Sequence, residues 1–167
     1  ALGYAAHGWP VIPLHGIANG KCTCSKGANC GKSSGKHPRI NDWGDNASTD
    51  PGQIENWWCD WPDANIGLVT GRRSSLFVID TDGEDGEATL TELEKRLGNL
   101  PETRTARTSR GFHYYFCVPS DMDMPGNSSG GKDEKGLDTR GEGGLVVARH
   151  RDPPRRPPWA GRAGDDA

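Results

Sequence analysis

The sequence predicts an α+β domain with a metal-stapled loop, and three observations carry that prediction. Short strand-like apolar runs recur along the chain with a few helical segments among them. Two of those runs abut acids, Val78-Ile79-Asp80-Thr81-Asp82 and Leu137-Asp138-Thr139-Arg140. A tight Cys/His cluster interrupts the amino-terminal part. At 167 residues the chain fits one compact domain with a small insert, and no separate motor domain.

The elements follow in order. Residues 1–7 form a short helix, and Val11 to Leu14 a strand between prolines. Gly20 to Arg39 is a polar Cys/Lys/Gly loop. Asp50-Pro51 supplies an N-cap and a proline at the first helical position, so a helix runs from Pro51 to Trp58. Asn65 to Val69 is a strand entering a turn, and Leu76 to Asp80 a buried strand expected to lie beside it. Glu84 to Leu97 is a helix with the stripe Leu90, Leu93 and Leu97, ended by Gly98. Arg104 to Thr108 and Phe112 to Cys117 are strands around the turn Ser109-Arg110-Gly111, with His113 and Tyr115 on one face.

Pro119 to Lys135 has little to bury and reads as a mobile loop or flap. Leu137 to Arg140 and Leu145 to Ala148 are the last strands, with Gly141 to Gly144 as a hairpin turn between them. The boundaries predicted are a domain over 1–148, with the loop 20–39 inserted, and an Arg/Pro-rich tail over 149–167 that is disordered or extended.

Composition excludes several classes. A net charge of −3 provides no global basic field, so any nucleic acid is gripped by a local patch. With 24 Gly, 12 Pro and 32% apolar residues the core is small, and staples would help it. No run of 18 apolar residues is present, which predicts no membrane partner and a cytoplasmic location. The odd count of five cysteines, three of them crowded together, points to metal rather than disulfides.

Cys22-x-Cys24-x5-Cys30-x6-His37 offers the ligand set of a closed tetrahedral zinc site, with His15 as a substitute ligand. Lys21, Lys26, Lys32, Lys36 and Arg39 around it are placed to follow a template backbone. Asp80 and Asp82, two apart on a strand, point the same way. A third acid from a neighbouring strand, Asp138, completes an oxygen cage for Mg²⁺ or Mn²⁺. His113, reached through Ser109-x-Gly111-x-His113, suits phosphate oxygens, and Arg140 suits either a triphosphate or an ion pair with Asp138. Six tryptophans include candidates for base stacking, with core or lid packing the commoner role.

Taken as an ordered set, Gly8-Trp9-x-Val11-x-Pro13-Leu14, Gly35-Lys36-His37-Pro38, Ala64-Asn65-Ile66-Gly67, Val78-Ile79-Asp80-Thr81-Asp82, Thr108-Ser109-x-Gly111-x-His113-x-Tyr115-Phe116 and Asp138-x-Arg140-Gly141 resemble the bifunctional DNA primase/polymerase family, the prim-pol branch of the archaeo-eukaryotic primases. The resemblance implies a distorted RRM-like catalytic sheet joined to an amino-terminal α/β unit. It implies that Asp80, Asp82 and Asp138 are the metal-binding acids, and that His113 and Ser109 contact the nucleotide's phosphates. A zinc-binding insert in a comparable place accords with Cys22, Cys24, Cys30 and His37. Arg110 stands where the family usually has a glycine, which puts a charge into the nucleotide-binding turn.

The expected activity is template-directed nucleotidyl transfer from NTP or dNTP on single-stranded DNA by a two-metal mechanism, in plasmid- or phage-type replication, with a helicase in the same or another chain. The alternative is a catalytically weak, zinc-stapled template-binding or initiator module acting with a partner helicase.

Overall fold

The computed structural model describes residues 1–131 and 134–148. The predicted tail over 149–167, with Trp159, lies outside the described residues, as do residues 132–133 of the predicted flap.

Two antiparallel sheets pack on each other. The first contains β1 (Val11–Leu14), β4 (Asn65–Val69) and β10 (Leu145–Ala148) in the order β1-β4-β10, so β4 is flanked on both edges. The second contains β5 (Leu76–Asp82), β6 (Arg104–Arg107), β7 (Gly111–Cys117), β8 (Ser128–Ser129) and β9 (Leu137–Arg140), in the order β6-β7-β5-β9-β8. A two-residue-per-strand hairpin, β2 (Ile17–Ala18) and β3 (Lys21–Cys22), opens the cysteine loop.

One face of the first sheet presents Val11, Ile66, Leu68 and Val146 to Leu76, Val78 and Tyr115 of the second. Helices α1 (Leu2–Ala5) and α3 (Pro51–Asp60) close that core with Tyr4, Ile54 and Trp57. The start of α3 is fixed as its sequence predicts: Pro51 leads the helix and the Asp50 carboxylate accepts the Gln53 N–H at 2.8 Å. The opposite face of the first sheet, with Ile12, Leu14 and Val69, is covered by Ala47 just after α2 (Trp43–Asn46) and by Trp43 and Ile40. Trp9, Trp58 and Trp61 pack against the main core, so the tryptophans chiefly replace missing aliphatics.

Helix α4 (Gly83–Leu97) lies along the far face of the second sheet, against β5, β7 and β9. Its inner stripe is shorter than the spacing predicts. Leu90 and Gly86 are buried, but Leu97 is 79% exposed, because nothing among the described residues covers the helix's last turn.

Two expected pairings are corrected. Strands 65–69 and 76–80 are not neighbours: β4 is saturated by β1 and β10, β5 by β7 and β9, and the intervening turn crosses from one sheet to the other. Likewise Gly141 to Gly144 joins β9 to β10 across the two sheets rather than turning a hairpin. The Thr70 hydroxyl, which donates to the Gly141 carbonyl at 2.7 Å, holds that crossing in place. The predicted flap also contributes a short paired strand, β8, along β9.

Candidate active site and metal centre

Strand register decides which side chains meet. On β5, Asp80 is directly opposite His113 of β7 on one edge and directly opposite Asp138 of β9 on the other. Residues paired across antiparallel strands share a face, so Asp80, His113 and Asp138 stand in one row, with Asp82 and Arg140 two residues away on the same face. Two carboxylates directly opposite repel, and the site compensates them.

The compensation is one positive or imidazole partner per acid. The His113 Nε2 lies 3.4 Å from the Asp80 carboxylate, Arg110 Nε 3.1 Å from Asp82, and Arg140 Nη2 2.7 Å from Asp138. The Asp138 carboxylate also accepts the Gly130 N–H at 3.2 Å. His113 is buried, with its Nδ1 3.2 Å from the Tyr115 hydroxyl, which fixes the ring on the strand face the two share.

Behind the acids a second set of contacts locks β5, β7 and α4 together. Thr81, fully buried on the opposite face, donates to the Glu87 carboxylate and accepts the Phe112 N–H at 3.1 Å. Gly111, the register partner of Asp82, leaves no room for a side chain, because a Cβ there would overlap the Thr81 carbonyl oxygen. The backbone N–H of Asp82 donates to Gly136 at 2.7 Å and that of Gly83 to Arg110 at 2.8 Å.

These residues open onto a cleft of about 620 Å³. Asp80, Asp82, Ser109, Arg110, His113 and Arg140 all line it. Asp138 does not; it meets the cleft through Arg140. Trp43 is the one tryptophan on the cleft wall among the described residues. Arg107, Asn127 and Lys36 also line the cleft. Of these, Arg107 and Asn127 escaped the sequence reading, since neither carries a spacing signal and the sheet order alone brings them there.

The cysteine loop forms the second centre. Cys22, Cys24, Cys30 and His37 put one ligand atom each within 4.8 Å of one another, the one such set of three or more among the described residues. The three acids are not gathered in this way; their oxygens are turned to their basic partners. The His37 Nε2 lies 3.4 Å from the Cys22 sulfur and 3.3 Å from that of Cys30. Zinc bonds to sulfur and nitrogen at a tetrahedral angle put those atoms about 3.6 Å apart, so the donor set fits zinc.

Burial pushes the Cys22 thiol up, but the N–H of Gly35, the backbone of Cys24 and the His37 ring together pull it down to about 6. Cys30 is pushed up to about 11 by burial and by the neighbouring Cys24 and Cys22 sulfurs. The sulfurs are thus crowded enough to resist all being thiolates unless a cation joins them. His15 is not a ligand: its ring lies tilted against that of His37, 4.6 Å between centroids, and its Nδ1 lies 3.1 Å from the Thr23 hydroxyl. Arg39 is likewise absorbed by structure, donating to the Leu14 carbonyl and Thr23 hydroxyl and lying over the Trp61 ring. All five cysteines are free of disulfides. No helix among the described residues is long and apolar enough to cross a membrane.

Residues 1–160 match the family described as bifunctional DNA primase/polymerase, N-terminal. No curated protein matches the chain.

Proposed function

The chain belongs to the bifunctional DNA primase/polymerase family, and from that premise we propose that it copies single-stranded DNA, joining NTPs or dNTPs by metal-dependent nucleotidyl transfer. The observation that carries the reading is the row His113–Asp80–Asp138 across three adjacent strands, with Asp82 and Arg140 on the same face. We read its five-stranded sheet, with α4 following β5, as the distorted RRM-like catalytic sheet of that family, and residues 1–148 as the catalytic unit.

Hard carboxylate oxygens on one face suit Mg²⁺ or Mn²⁺. Asp80, Asp82 and Asp138 are the residues that would hold two such ions, which would supply alignment of a 3′ hydroxyl with the α-phosphate and charge for the departing pyrophosphate. The chain's own residues do the rest. Arg110 and Arg140 now hold Asp82 and Asp138. Both guanidiniums line the cleft, where they would match a polyphosphate as forked donors. Ser109 and His113, on the same cleft, complete the grip on the phosphates. Trp43 offers a face to a base, and positioning with charge neutralisation supplies most of the rate. The Cys22/Cys24/Cys30/His37 centre, with all four positions filled by protein, is structural. A replicative helicase, in the same or another chain, is the partner this activity calls for, and five free cysteines fit a reducing cytoplasm.

Unprimed single-stranded DNA, labelled NTPs or dNTPs and Mg²⁺ or Mn²⁺ test the reading by product length. Metal-dependent, template-dependent product is expected, and it should vanish in Asp80→Asn. DNA and nucleotide binding without product under every metal would instead favour a template-binding initiator module.

A further inference from the structure

The cysteine centre and the cleft meet in one short segment. Ser34, Gly35 and Lys36, between the ligands Cys30 and His37, line the same cleft as Asp80, Arg110 and His113. Gly35 is buried, with a left-handed φ of +72°; its N–H donates to the Cys22 sulfur at 3.4 Å and its carbonyl accepts from Asn65 Nδ2 at 2.8 Å. On the other side, the His37 carbonyl accepts the His15 N–H at 2.9 Å. Lys36 is therefore carried by a backbone tied at both ends to the metal-ligand set and to the first sheet.

Its side chain has no partner among the described residues. Lys36 is exposed and makes no ion pair among the described residues, whereas Arg110 and Arg140 hold acids and Arg39 holds backbone and a ring. Arg107 of β6 is the other cleft cation without a carboxylate partner among the described residues. A cleft with free cations beside compensated acids favours a polyanion.

We propose that Lys36 is a phosphate-binding residue of this cleft, positioned by the Cys22/Cys24/Cys30/His37 centre, so that metal occupancy of that centre sets the cleft's affinity for its phosphate-bearing substrate. The inference rests on the function proposed above. Arg107 sits on the second sheet and depends on no cysteine, which gives an internal comparison.

The test measures equilibrium binding of a fluorescent dATP analogue and, separately, of fluorescein-labelled single-stranded DNA, with zinc content determined on each sample. Lys36→Ala should weaken one or both probes about tenfold or more, the range of a charge-assisted contact, and Lys36→Arg should retain most of the affinity. Loss confined to the nucleotide identifies a triphosphate contact; loss confined to DNA identifies its backbone. Lys95→Ala, on the outer face of α4, controls for general charge. Stripping zinc with a chelator, then dialysing the chelator away, should weaken wild type and Arg107→Ala by a similar factor, and leave Lys36→Ala where it was.

The proposal is overturned if Lys36→Ala binds both probes as wild type does, or if stripping weakens Lys36→Ala as much as wild type. A chain that takes up no zinc, or that loses its far-ultraviolet circular dichroism on stripping, overturns the coupling to the cleft. Wild type that binds neither probe overturns this inference together with the proposed function; product formation that dies in Asp80→Asn while Lys36→Ala binds normally sinks this inference alone.

Discussion

Replacing Gly111 with alanine puts one methyl group at the tightest point between the strands that carry the site. The added Cβ would overlap the Thr81 carbonyl and lie 3.1 Å from the Thr81 hydroxyl oxygen. Neither can retreat easily. Thr81 is fully buried where its strand is still paired on both edges, with Phe112 and Leu137, and its hydroxyl is already bonded to Glu87 and Phe112. The strands must separate instead, and overpacking of this kind costs about 1–3 kcal/mol. For a chain of this size each kcal/mol lowers the melting temperature by about 2–4 °C, so a drop of roughly 2–12 °C is expected. The same separation moves Asp80 and Asp82 relative to His113 and Arg110. A displacement near 1 Å at reacting groups costs about a hundredfold in rate. Thermal melts followed by circular dichroism and dNTP incorporation on a DNA template measure the two effects together. Gly44→Ala, whose Cβ meets nothing within 4 Å, is the comparison and should melt within about 2 °C of wild type. If Gly111→Ala melts and incorporates as wild type does, the Asp82–Gly111 register is wrong and the site built on it falls.

Three further outcomes follow from the same geometry. Asp80→Asn should cut incorporation at least about a thousandfold, more than the loss of one catalytic hydrogen-bond donor, yet change stability by less than about 1 kcal/mol, since it removes a repulsion with Asp138 along with a His113 contact; incorporation within threefold of wild type would contradict the assignment. Arg140→Gln should weaken nucleotide binding about tenfold while tightening Mn²⁺ binding, because Asp138 loses its competing cation; isothermal titration with Mn²⁺ alone reads the second effect, and weaker Mn²⁺ binding would refute it. Cys22→Ser removes a buried sulfur from the centre, so zinc content should fall from about one per chain to a small fraction, with a lower melting temperature; undiminished zinc would show that the other three ligands suffice.

How much was legible beforehand differs from element to element. The helix at Pro51 announced itself through a cap and a proline, both local in sequence, and its start and face were readable for that reason. The four metal-ligand candidates were readable from spacing, because a sixteen-residue segment cannot scatter them far. His15 was not separable from them by spacing; only the fold shows it packed against the His37 ring and hydrogen-bonded to Thr23. The acids were recognisable as a set, and the Arg140–Asp138 pair was open to the sequence because both residues lie on one strand. That Asp80 and Asp82 are held by His113 and Arg110 depends on elements distant in the chain.

Sequence alone determined the short-range properties: alternation that puts Asp80 and Asp82 on one face, the chelating loop, and the turns rich in glycine. These depend on backbone geometry over a few residues, which local side chains dictate. Tertiary structure decided the rest. Strands adjacent in sequence, 65–69 and 76–82, went to different sheets, while Asp80, His113 and Asp138, up to 58 positions apart, became neighbours. Strand pairing is chosen by which edges are free and which faces must be buried together, and that choice exists only once the whole core competes for partners.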